Sequence, residues 1–321
     1  MAPALARGGI DLGGTKIQAV VVDERHAVLG QARSATPTRG GPADVMAAMA
    51  GALREAAAAA GLEAAALTHV GVGSPGTVDA ASGMVSSAKN LPGWAGTYPL
   101  AEELRKALGS PIVLGNDVQV ATDAEAALGA GRGYGSMLGV FWGTGVGGGI
   151  VLDGKPWLGR GGAGEIGHVV VKVDGAQCPC GRRGCMEAYA GRNALEARAR
   201  ELHGKGEPTE LFKIAKKRGR ERLTSGIWAA ALERADPLAT KLVDRAVEML
   251  GAGVASVDNV LDVEVIILGG GLGVRLGQPF ADRIAAAMAP HLFFSDRPPP
   301  VLVAALGDLG GAVGASLLAA S

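Results

Sequence analysis

Three cysteines and one histidine are grouped in one short segment of this chain. Residues 164–187 read GEIGHVVVKVDGAQCPCGRRGCME and contain His168, Cys178, Cys180 and Cys185. Three thiols and one imidazole are the complete ligand set of a closed tetrahedral zinc site. Because four protein ligands leave no open position for water, the predicted metal is structural and not a hydrolytic centre.

The alternatives to a zinc site are a disulfide and a reduced cluster without metal. A Cys-x-Cys pair cannot easily close on itself as a disulfide, and three cysteines leave one thiol unpaired. A metal-free cluster is compatible with the composition, but Gly181 and Gly184 supply the tight turn that a metal-bound knuckle needs. We therefore expect zinc. Glu165 and Glu187 bracket the cluster, which suggests a site for a polyhydroxylated ligand.

Composition excludes several classes of function. The 321 residues are enough for two domains with a large core. Basic and acidic residues balance at 31 each, which gives no support for general binding to nucleic acid or to an anionic membrane. No apolar run near the N-terminus is long enough for a signal peptide or a membrane span. Together with reduced cysteines, this predicts a cytoplasmic protein.

Glycine-rich turns follow apolar segments at three places, and we interpret them as a nucleotide site. The turns are Gly13-Gly14-Thr15, GTGVGGG at 143–149 and GGG at 269–271. Backbone N–H groups in such turns bind phosphate oxygens, and Asp11 before the first turn is suited to Mg²⁺. The segment after the first turn, KIQAVVV, is β-branched, which favours a hairpin over the strand–helix unit of a Rossmann fold. A second hairpin pattern at 137–153 indicates an internal duplication.

Strands that alternate with helices predict an α/β chain. We expect helices at 42–60, 100–108, 118–128 and 238–260, and strands at 10–12, 16–23, 69–73, 111–115, 263–268 and 301–306. Asn116 and Asp117 lie where a strand ends and a helix begins, which is where ligands bind in open α/β sheets. Asp117 there can accept a proton from a substrate hydroxyl, but an Asx turn or a helix cap explains the pair equally well.

The sequence allows two interpretations of Asn90 and two of the basic run at 216–222. Asn90 lies in the loop AKNLPGW, and its amide either binds substrate hydroxyls or forms a turn. The basic run KKRGRER at 216–222 is either a solvated helix or loop face, which we favour, or a site for a polyanion such as polyphosphate.

Taken in order, these motifs resemble the ROK family of bacterial sugar kinases and their repressor relatives. The matching segments are DLGGTK at 11–16, GSPG at 73–76, NLPGW at 90–94, ND at 116–117, GTGVGGG at 143–149, GEIGH at 164–168, CPCGRRGCME at 178–187 and ILGGG at 267–271. The GEIGH and cysteine motifs together are specific to that family. Within it, the pattern is similar to the zinc-containing, ATP-dependent glucokinases.

The resemblance implies an α/β fold of the actin/hexokinase-like (ribonuclease H-like) type, with two domains and a cleft between them. We expect an N-terminal domain at 1–118, joined by a C-terminal helix at 307–321, and a C-terminal domain at 119–306 that carries the zinc knuckle. The implied reaction is ATP-dependent phosphorylation of a hexose at its 6-hydroxyl, with glucose as the expected substrate. Such an enzyme serves glycolysis and is expected to be a homodimer or tetramer.

The resemblance also implies roles for individual residues. Asp117 is the implied catalytic base, and the implied zinc ligands are His168, Cys178, Cys180 and Cys185. The residues implied to bind the sugar are Asn90, Asn116, Asp117, Glu165, His168 and Glu187. Those implied to bind ATP and Mg²⁺ are Asp11, Gly13, Gly14, Thr15, Lys16, Gly143, Thr144, Gly145, Gly147, Gly269, Gly270 and Gly271.

Different activities within the same family are kept as alternatives. They are a kinase for N-acetylmannosamine, N-acetylglucosamine, fructose or mannose, a glucokinase that uses polyphosphate, and a sugar-sensing transcriptional regulator. NLPGW favours glucose by analogy only. The regulators carry a helix-turn-helix before the DxGGT segment, and the ten residues before Asp11 are too few for one. Relatives that favour polyphosphate generally lack the cysteine cluster.

Overall fold

The computed structural model describes residues 5–88 and 91–318, which form two compact units. The first unit consists of the described residues up to Gly129, together with Gly159–Gly161 and the segment from Ala305 onward. The second unit consists of Ala130–Leu158 and Gly162–Ala304. The domain division expected from the sequence, 1–118 with 307–321 and 119–306, stays a prediction.

Strands and helices alternate in both units, as the sequence predicts. The first unit contains β1 (Arg7–Leu12), β2 (Lys16–Val22), β3 (Val28–Ala35), α1 (Pro42–Ala59), β4 (Val70–Ser74), β5 (Thr77–Asp79), β6 (Met84–Ser86), β7 (Thr97–Tyr98), α2 (Leu100–Leu108), β8 (Ile112–Asn116) and α3 (Asp117–Leu128). The second unit contains β9 (Met137–Trp142), β10 (Val146–Leu152), β11 (Lys155–Pro156), α4 (Glu187–Ala190), α5 (Arg192–Gly204), α6 (Leu211–Lys217), α7 (Ser225–Glu233), α8 (Pro237–Leu261), β12 (Val265–Gly269), α9 (Gly270–Leu276), α10 (Gln278–Met288) and β13 (Val301–Val303). The chain then returns to the first unit as α11 (Gly310–Ala315).

The main sheets of the two units have the same topology. Their strand orders are β3-β2-β1-β4-β8 and β11-β10-β9-β12-β13. In each sheet an antiparallel hairpin, β1–β2 or β9–β10, is extended by two parallel strands on the side of its first strand. This repetition supports the internal duplication inferred from the sequence. The first turn is followed by strand β2 and not by a helix, so the prediction of a hairpin is confirmed.

The apolar pattern of the chain explains why these elements pack as they do. In β2, Ile17 and residues 19–22 have no exposed surface, because this strand lies in the interior of its sheet. In α2, Leu100, Leu104 and Leu108 recur every four residues and are all buried, and Gly109 ends the helix in the left-handed conformation. Among residues 5–88 and 91–318, no helix has the length and hydropathy needed to cross a membrane.

One predicted strand is shorter than expected. The apolar run at 301–306 predicts six strand residues, but β13 ends at Val303. The cause is Glu125 of α3, whose buried carboxylate accepts hydrogen bonds from the N–H groups of Ala305 at 3.0 Å and Leu306 at 2.9 Å. These two N–H groups are therefore directed to a side chain and not to a neighbouring strand.

Helix α11 lies directly on the first sheet, and glycines in the strands permit that distance. A Cβ on Gly9 of β1 would lie 1.9 Å from the carbonyl oxygen of Ala312, and one on Gly71 of β4 would lie 1.7 Å from that of Ala315. Both obstacles are helix backbone, which cannot move aside without displacing the helix. The C-terminal segment is therefore an integral layer of this unit.

We expect Gly71→Ala to destabilise the protein by about 2 kcal/mol or more, because the added methyl group overpacks the β4–α11 contact. The matched control is Gly51→Ala in the interior of α1, where an added Cβ has no neighbour within 4 Å. That change should stabilise the protein by about 0.5–1 kcal/mol, because alanine is the better helix former. Chemical denaturation followed by circular dichroism measures both. Equal effects of the two variants would contradict the close packing of α11.

Candidate functional site

The parallel strands of the first unit bring three candidate residues to one edge of the sheet. Asp11 of β1 pairs with Gly73 of β4, and Gly73 pairs with Gly115 of β8. Because neighbouring strands lie about 4.8 Å apart, the backbones of Asp11 and Gly115 are about 10 Å apart. Asn116 and Asp117 follow Gly115 directly. Asp11, the glycine turn after it and Asp117 therefore lie at the carboxyl ends of adjacent strands, where ligands bind in such sheets.

Asn116 and Asp117 form the start of α3. The Oδ1 atom of Asn116 accepts hydrogen bonds from the N–H groups of Val118 at 3.0 Å and Gln119 at 3.1 Å, so this side chain is the helix N-cap. Asp117 is the first residue of the helix, and its Oδ1 accepts from the N–H of Val118 at 3.0 Å. The cap interpretation is thus correct for Asn116. Asp117 therefore lies at the positive end of the helix dipole.

The first glycine turn is held by its own backbone and by the residue that follows β3. The N–H of Gly13 donates to the carbonyl of Lys16 at 2.9 Å, and the hydroxyl of Thr36 donates to the carbonyl of Gly13 at 2.7 Å. Lys16 forms an ion pair with Asp308 at 2.9 Å. Gly14 and Thr15 form the tip of the turn, so the expected phosphate-binding residues 13–16 are presented as one short, supported loop.

Asp11 is a partly buried carboxylate beside that turn. Burial raises the pKa of its carboxyl group to about 6, against the opposing charge of Lys16. Helix α11 packs on it so closely that a Cβ on Gly311 would lie 2.7 Å from the carboxylate carbon of Asp11. A carboxylate that is costly to ionise in its own surroundings gains from a nearby cation, and carboxylate oxygen is the donor that Mg²⁺ prefers. Asp11 therefore fits a role as a Mg²⁺ ligand, directly or through water.

The second glycine turn connects β9 and β10 and is fixed by the segment that follows the cysteines. The N–H of Gly143 donates to the carbonyl of Gly145 at 2.9 Å. The N–H groups of Arg192 and Asn193 donate to the carbonyls of Gly143 at 3.1 Å and Thr144 at 3.0 Å. The guanidinium of Arg192 also donates to the hydroxyl of Thr144 at 2.9 Å. The start of α5 thus contacts this turn through backbone and side chain.

The third glycine run lies next to the second one within the same unit. Gly269 ends β12, and Gly270 starts α9 in the left-handed region, at a φ of 79°. A Cβ on Gly270 would lie 2.6 Å from the carbonyl oxygen of Trp142, and one on Gly143 would lie 3.7 Å from the nitrogen of Gly271. The structure therefore brings together 143–147 and 269–271, which are far apart in the sequence.

Glu187 connects the cysteine segment to the second glycine turn. It is the first residue of α4, two positions after Cys185, and its Oε2 accepts from the N–H of Val146 at 2.9 Å. A Cβ on Gly145 would lie 2.1 Å from that same oxygen, so only glycine at position 145 leaves room for the carboxylate. The sequence predicts Glu187 as a ligand of the sugar. The structure adds a second partner for this carboxylate, the backbone of the turn.

His168, Cys178, Cys180 and Cys185 converge in one cluster. Their ligand atoms all lie within 4.8 Å of one another, with Nδ1 of His168 3.7 Å from Sγ of Cys178, and Sγ of Cys180 3.7 Å from Sγ of Cys185. Zn–S bonds of about 2.3 Å in a tetrahedron place two sulfurs roughly 3.8 Å apart, whereas a disulfide requires about 2.05 Å. The three cysteines are free thiols. The cluster therefore has the donor set and the spacing of a closed zinc site.

The loop around the cluster is a short two-stranded knuckle. Isolated bridges pair Val170 with Cys185 and Gln177 with Arg183, and the N–H of Cys178 donates to the carbonyl of Arg182 at 2.8 Å. Gly184 has a φ of 80°, and a Cβ there would lie 1.8 Å from the carbonyl oxygen of Lys172. Only glycine fits this position, which explains the glycine before the last cysteine.

Ionisation of the thiols also points to a bound cation. Burial raises the pKa of the Cys178 thiol to about 12 and raises that of Cys185, whereas the backbone N–H of Arg182 lowers the pKa of Cys180 to about 6. Without a metal, one thiolate at most is favourable near neutral pH. Coordination ionises cysteine thiols, so a metal bound here would hold all three as thiolates.

His168 has one ring nitrogen directed away from the cysteines. Its Nδ1 faces Cys178, and its Nε2 lies 3.9 Å from Oε2 of Glu165, whose side chain is 68% exposed. With Nδ1 on a metal, Nε2 carries the proton and can donate to a ligand hydroxyl. Glu165 and His168 thus present an acceptor and a donor side by side.

The structure bears differently on Asn90, on the basic run 216–222 and on two residues that were not predicted. Asn90 lies outside the described residues. In the basic run 216–222, Arg218 donates to the carbonyl of Gly226 and Arg222 pairs with Glu196 at 3.1 Å, while the run itself is exposed. Neither Arg192 nor the buried Glu125 was predicted from the sequence. Both make contacts that depend on tertiary packing, and only the arginine type next to the cysteine motif was available as a signal.

A family model described as ROK family matches residues 7–321 of this chain. The chain belongs to the ROK family. Its relatives include a glucokinase of Thermotoga maritima, which is 34% identical over 292 residues that cover 90% of each protein. N-acetylgalactosamine kinase AgaK of a Shewanella species is 33% identical over 97% of this chain and 95% of its own length. Both matches extend over nearly the whole ROK chain.

A solved ROK structure matches the fold as well as the sequence. The ROK family glucokinase from Streptomyces griseus, crystallised in complex with glucose and AMPPNP, is 32% identical, covers 97% of this chain and 98% of its own, and gives a TM-score of 0.82. The predicted fold class is therefore confirmed.

Proposed function

We propose that this protein is an ATP-dependent hexose kinase that phosphorylates the 6-hydroxyl of glucose. One observation carries the proposal: in a ROK-family chain, Asp117 lies at the same sheet edge as Asp11 and the first glycine turn. A carboxylate able to take a proton from a hydroxyl thereby lies beside the loop that we propose to bind phosphate. The relatives named glucokinase, from Thermotoga maritima and Streptomyces griseus, support glucose as the acceptor.

The residues proposed to bind the sugar, on the resemblance to the family, are Asn90, Asn116, Asp117, Glu165, His168 and Glu187. Carboxylates accept hydrogen bonds from sugar hydroxyls, and Nε2 of His168 donates one. A hexose hydroxyl is both a donor and an acceptor, so this mixed set of side chains is suited to it.

Phosphate or nucleotide contacts are proposed for each glycine turn on the resemblance to the family. Residues 13–16 and 143–147 offer backbone N–H groups and the hydroxyls of Thr15 and Thr144 to phosphate oxygens, and Gly269–Gly271 border the adenosine. Asp11 would hold Mg²⁺, which offsets negative charge on the transferred phosphoryl group when bound. Phosphoryl transfer depends mostly on such positioning and charge neutralisation.

In the proposed reaction, Asp117 aligns the attacking 6-hydroxyl and accepts its proton. The oxygen then attacks the γ-phosphorus of ATP, the bond to the β-phosphate bridging oxygen breaks, and ADP leaves. Asn116 fixes the start of α3 through its two backbone hydrogen bonds, so the position of Asp117 is set by the helix and not by a flexible loop.

We further propose that His168 and the three cysteines bind one structural Zn²⁺. Four protein ligands leave no site for water, so this ion does not take part in proton transfer. Its role is to fix the knuckle and with it Glu165, His168 and Glu187. We also propose a homodimer or tetramer, on the resemblance alone, which light scattering after size-exclusion chromatography tests.

A panel of hexoses with ATP tests the proposed function. ADP release is followed by a coupled assay with glucose, mannose, fructose, N-acetylglucosamine, N-acetylmannosamine and N-acetylgalactosamine, since that readout does not depend on the sugar. We expect the highest kcat/KM for glucose. Absence of ADP release with every hexose would refute the ATP-dependent kinase. Sugar phosphate formed from polyphosphate but not from ATP would make polyphosphate the donor.

An N-acetylhexosamine is the second candidate substrate. The match to N-acetylgalactosamine kinase AgaK, at 33% identity over 97% of this chain, favours it. A higher kcat/KM for any N-acetylated sugar than for glucose in the same panel would establish this alternative.

A further inference from the structure

An arginine cluster with an excess of positive charge lies beside the second glycine turn. It is formed by Arg192, Arg200 and Arg222 around one carboxylate, that of Glu196, in the second unit. Glu196 is buried, with a side chain that is 7% exposed. Three guanidinium groups and one carboxylate leave an excess of positive charge at this position.

The carboxylate of Glu196 is fully engaged by two of these arginines. Its Oε1 accepts from Nε and Nη2 of Arg200 at 3.0 and 2.7 Å. Its Oε2 accepts from Nε of Arg222 at 3.1 Å and from the N–H of Leu223 at 3.0 Å. Arg222 also donates to Oδ1 of Asn193 at 2.7 Å. Arg200 and Arg222 are therefore structural, and both oxygens of Glu196 are already occupied.

Arg192 differs from its neighbours because no carboxylate pairs with it among the described residues. Its Nη2 donates to the hydroxyl of Thr144 at 2.9 Å, and its Nε is buried without a hydrogen-bond partner within residues 5–88 and 91–318. Burial and the nearby charge of Arg222 lower its pKa, against the opposing charge of Glu196. Keeping a guanidinium in such surroundings is costly unless a further anion compensates it.

The position of Arg192 identifies that anion. Its backbone N–H donates to the carbonyl of Gly143, and its side chain contacts Thr144, both in the turn proposed to bind phosphate. Guanidinium groups bind phosphate oxygens through two parallel N–H···O bonds. We infer that Arg192 binds the phosphoanhydride chain of the phosphoryl donor at the 143–147 turn. This inference rests on the proposed kinase function and adds a donor-binding residue outside the glycine motifs.

Two donors share this chemistry, namely a nucleoside triphosphate and inorganic polyphosphate. Both present several charged phosphate oxygens, and neither requires Arg192 to contact a base or a ribose. The test therefore compares ligands with and without phosphates. A residue that only supports the turn through Thr144 would cause no further loss once Thr144 is replaced by valine, so Arg192→Ala is also combined with Thr144→Val.

Isothermal titration calorimetry of the full chain, without sugar, tests the inference with AMPPNP, inorganic tripolyphosphate and adenosine. For Arg192→Ala we expect the Kd of AMPPNP to rise about 10–100-fold, since a charge-assisted hydrogen-bonded contact is lost. The Kd of tripolyphosphate should rise by a similar factor and that of adenosine should not change. For Arg192→Lys we expect Kd values between those of wild type and Arg192→Ala, because lysine keeps the positive charge but cannot form two parallel hydrogen bonds. The matched control is Arg198→Ala on the same helix, where the arginine pairs with Glu201 at 2.6 Å on the surface.

Three outcomes would overturn the inference. They are an equal loss of affinity for adenosine and AMPPNP, no loss in Arg192→Ala, and no further loss when Arg192→Ala is added to Thr144→Val. Once a selective loss in Arg192→Ala supports the inference, tighter wild-type binding of AMPPNP than of tripolyphosphate assigns the site to a nucleotide, and the reverse assigns it to polyphosphate. Failure of the hexose panel with a selective loss in Arg192→Ala would refute the proposed function and leave the phosphate site intact.

Discussion

Asp117→Asn is expected to lower kcat by about 10²–10⁴-fold, because the amide cannot accept the proton of the attacking hydroxyl. Hexose affinity should stay within about threefold, since asparagine keeps the shape of aspartate and hydrogen-bonds to hydroxyls. The N-cap of α3 is Asn116 and not Asp117, so the helix start survives the substitution. The loss should therefore appear in the chemical step and not in folding or binding.

The coupled ADP assay and calorimetry with glucose separate these two quantities. The matched control is Asp123→Asn, the same change six residues further along α3. Asp123 accepts a hydrogen bond from Nε2 of Gln119 at 2.6 Å, which asparagine can also accept, and burial raises its pKa to about 7. We expect turnover of the control within about twofold of wild type. Near-normal kcat in Asp117→Asn would remove Asp117 as the general base.

Cys185→Ser is expected to abolish stoichiometric zinc binding and to destabilise the protein by more than about 3 kcal/mol. Cys185 is fully buried and lies two residues before Glu187, so loss of the metal releases the knuckle and α4 together. Hexose affinity should fall with it, because Glu165, His168 and Glu187 are no longer fixed. The wild-type chain should contain about one zinc.

Elemental analysis by plasma mass spectrometry and thermal unfolding measure this effect. Cys180→Ser supplies a second variant, because Cys180 is exposed and its serine hydroxyl would not be buried. It should lose zinc as well. Arg183→Ala is the control within the knuckle, since the side chain of this exposed arginine contacts Gln177 at 3.5 Å. A metal-free wild-type protein with full stability and full hexose affinity would rule out the structural zinc site.

Local sequence was sufficient for many elements of this fold. The leucines of α2 recur at the helical period and Gly109 ends that helix, and the β-branched run after Gly14 became strand β2. These signals are local, because periodicity, β-branching and glycine act on the residues next to them. The sequence did not predict the end of β13 at Val303, because the carboxylate responsible, Glu125, is 180 residues away in the chain.

In the candidate site, too, some residues could be predicted from local sequence and others depend on distant contacts. The ligand set His168, Cys178, Cys180 and Cys185 followed from residue types and spacing, because a metal selects donors and a short loop must bring them together. Arg192 did not follow from any pattern, because an arginine in an alanine-rich helical segment is ordinary in sequence. Arg192 lacks a paired carboxylate because both oxygens of Glu196 accept hydrogen bonds from Arg200 and Arg222, which only the structure of the described residues shows.

By itself, the sequence determined the family, the candidate metal-binding knuckle and the residue types suited to phosphate and sugar. Tertiary structure alone decided which of them are neighbours: Asp11 and Asp117 through the parallel register of β1, β4 and β8, and Glu187 with Val146 through the packing of α4 on the second turn. The physical reason is that strand register and side-chain pairing depend on contacts between residues distant in the chain. Local propensity carries no information about those contacts.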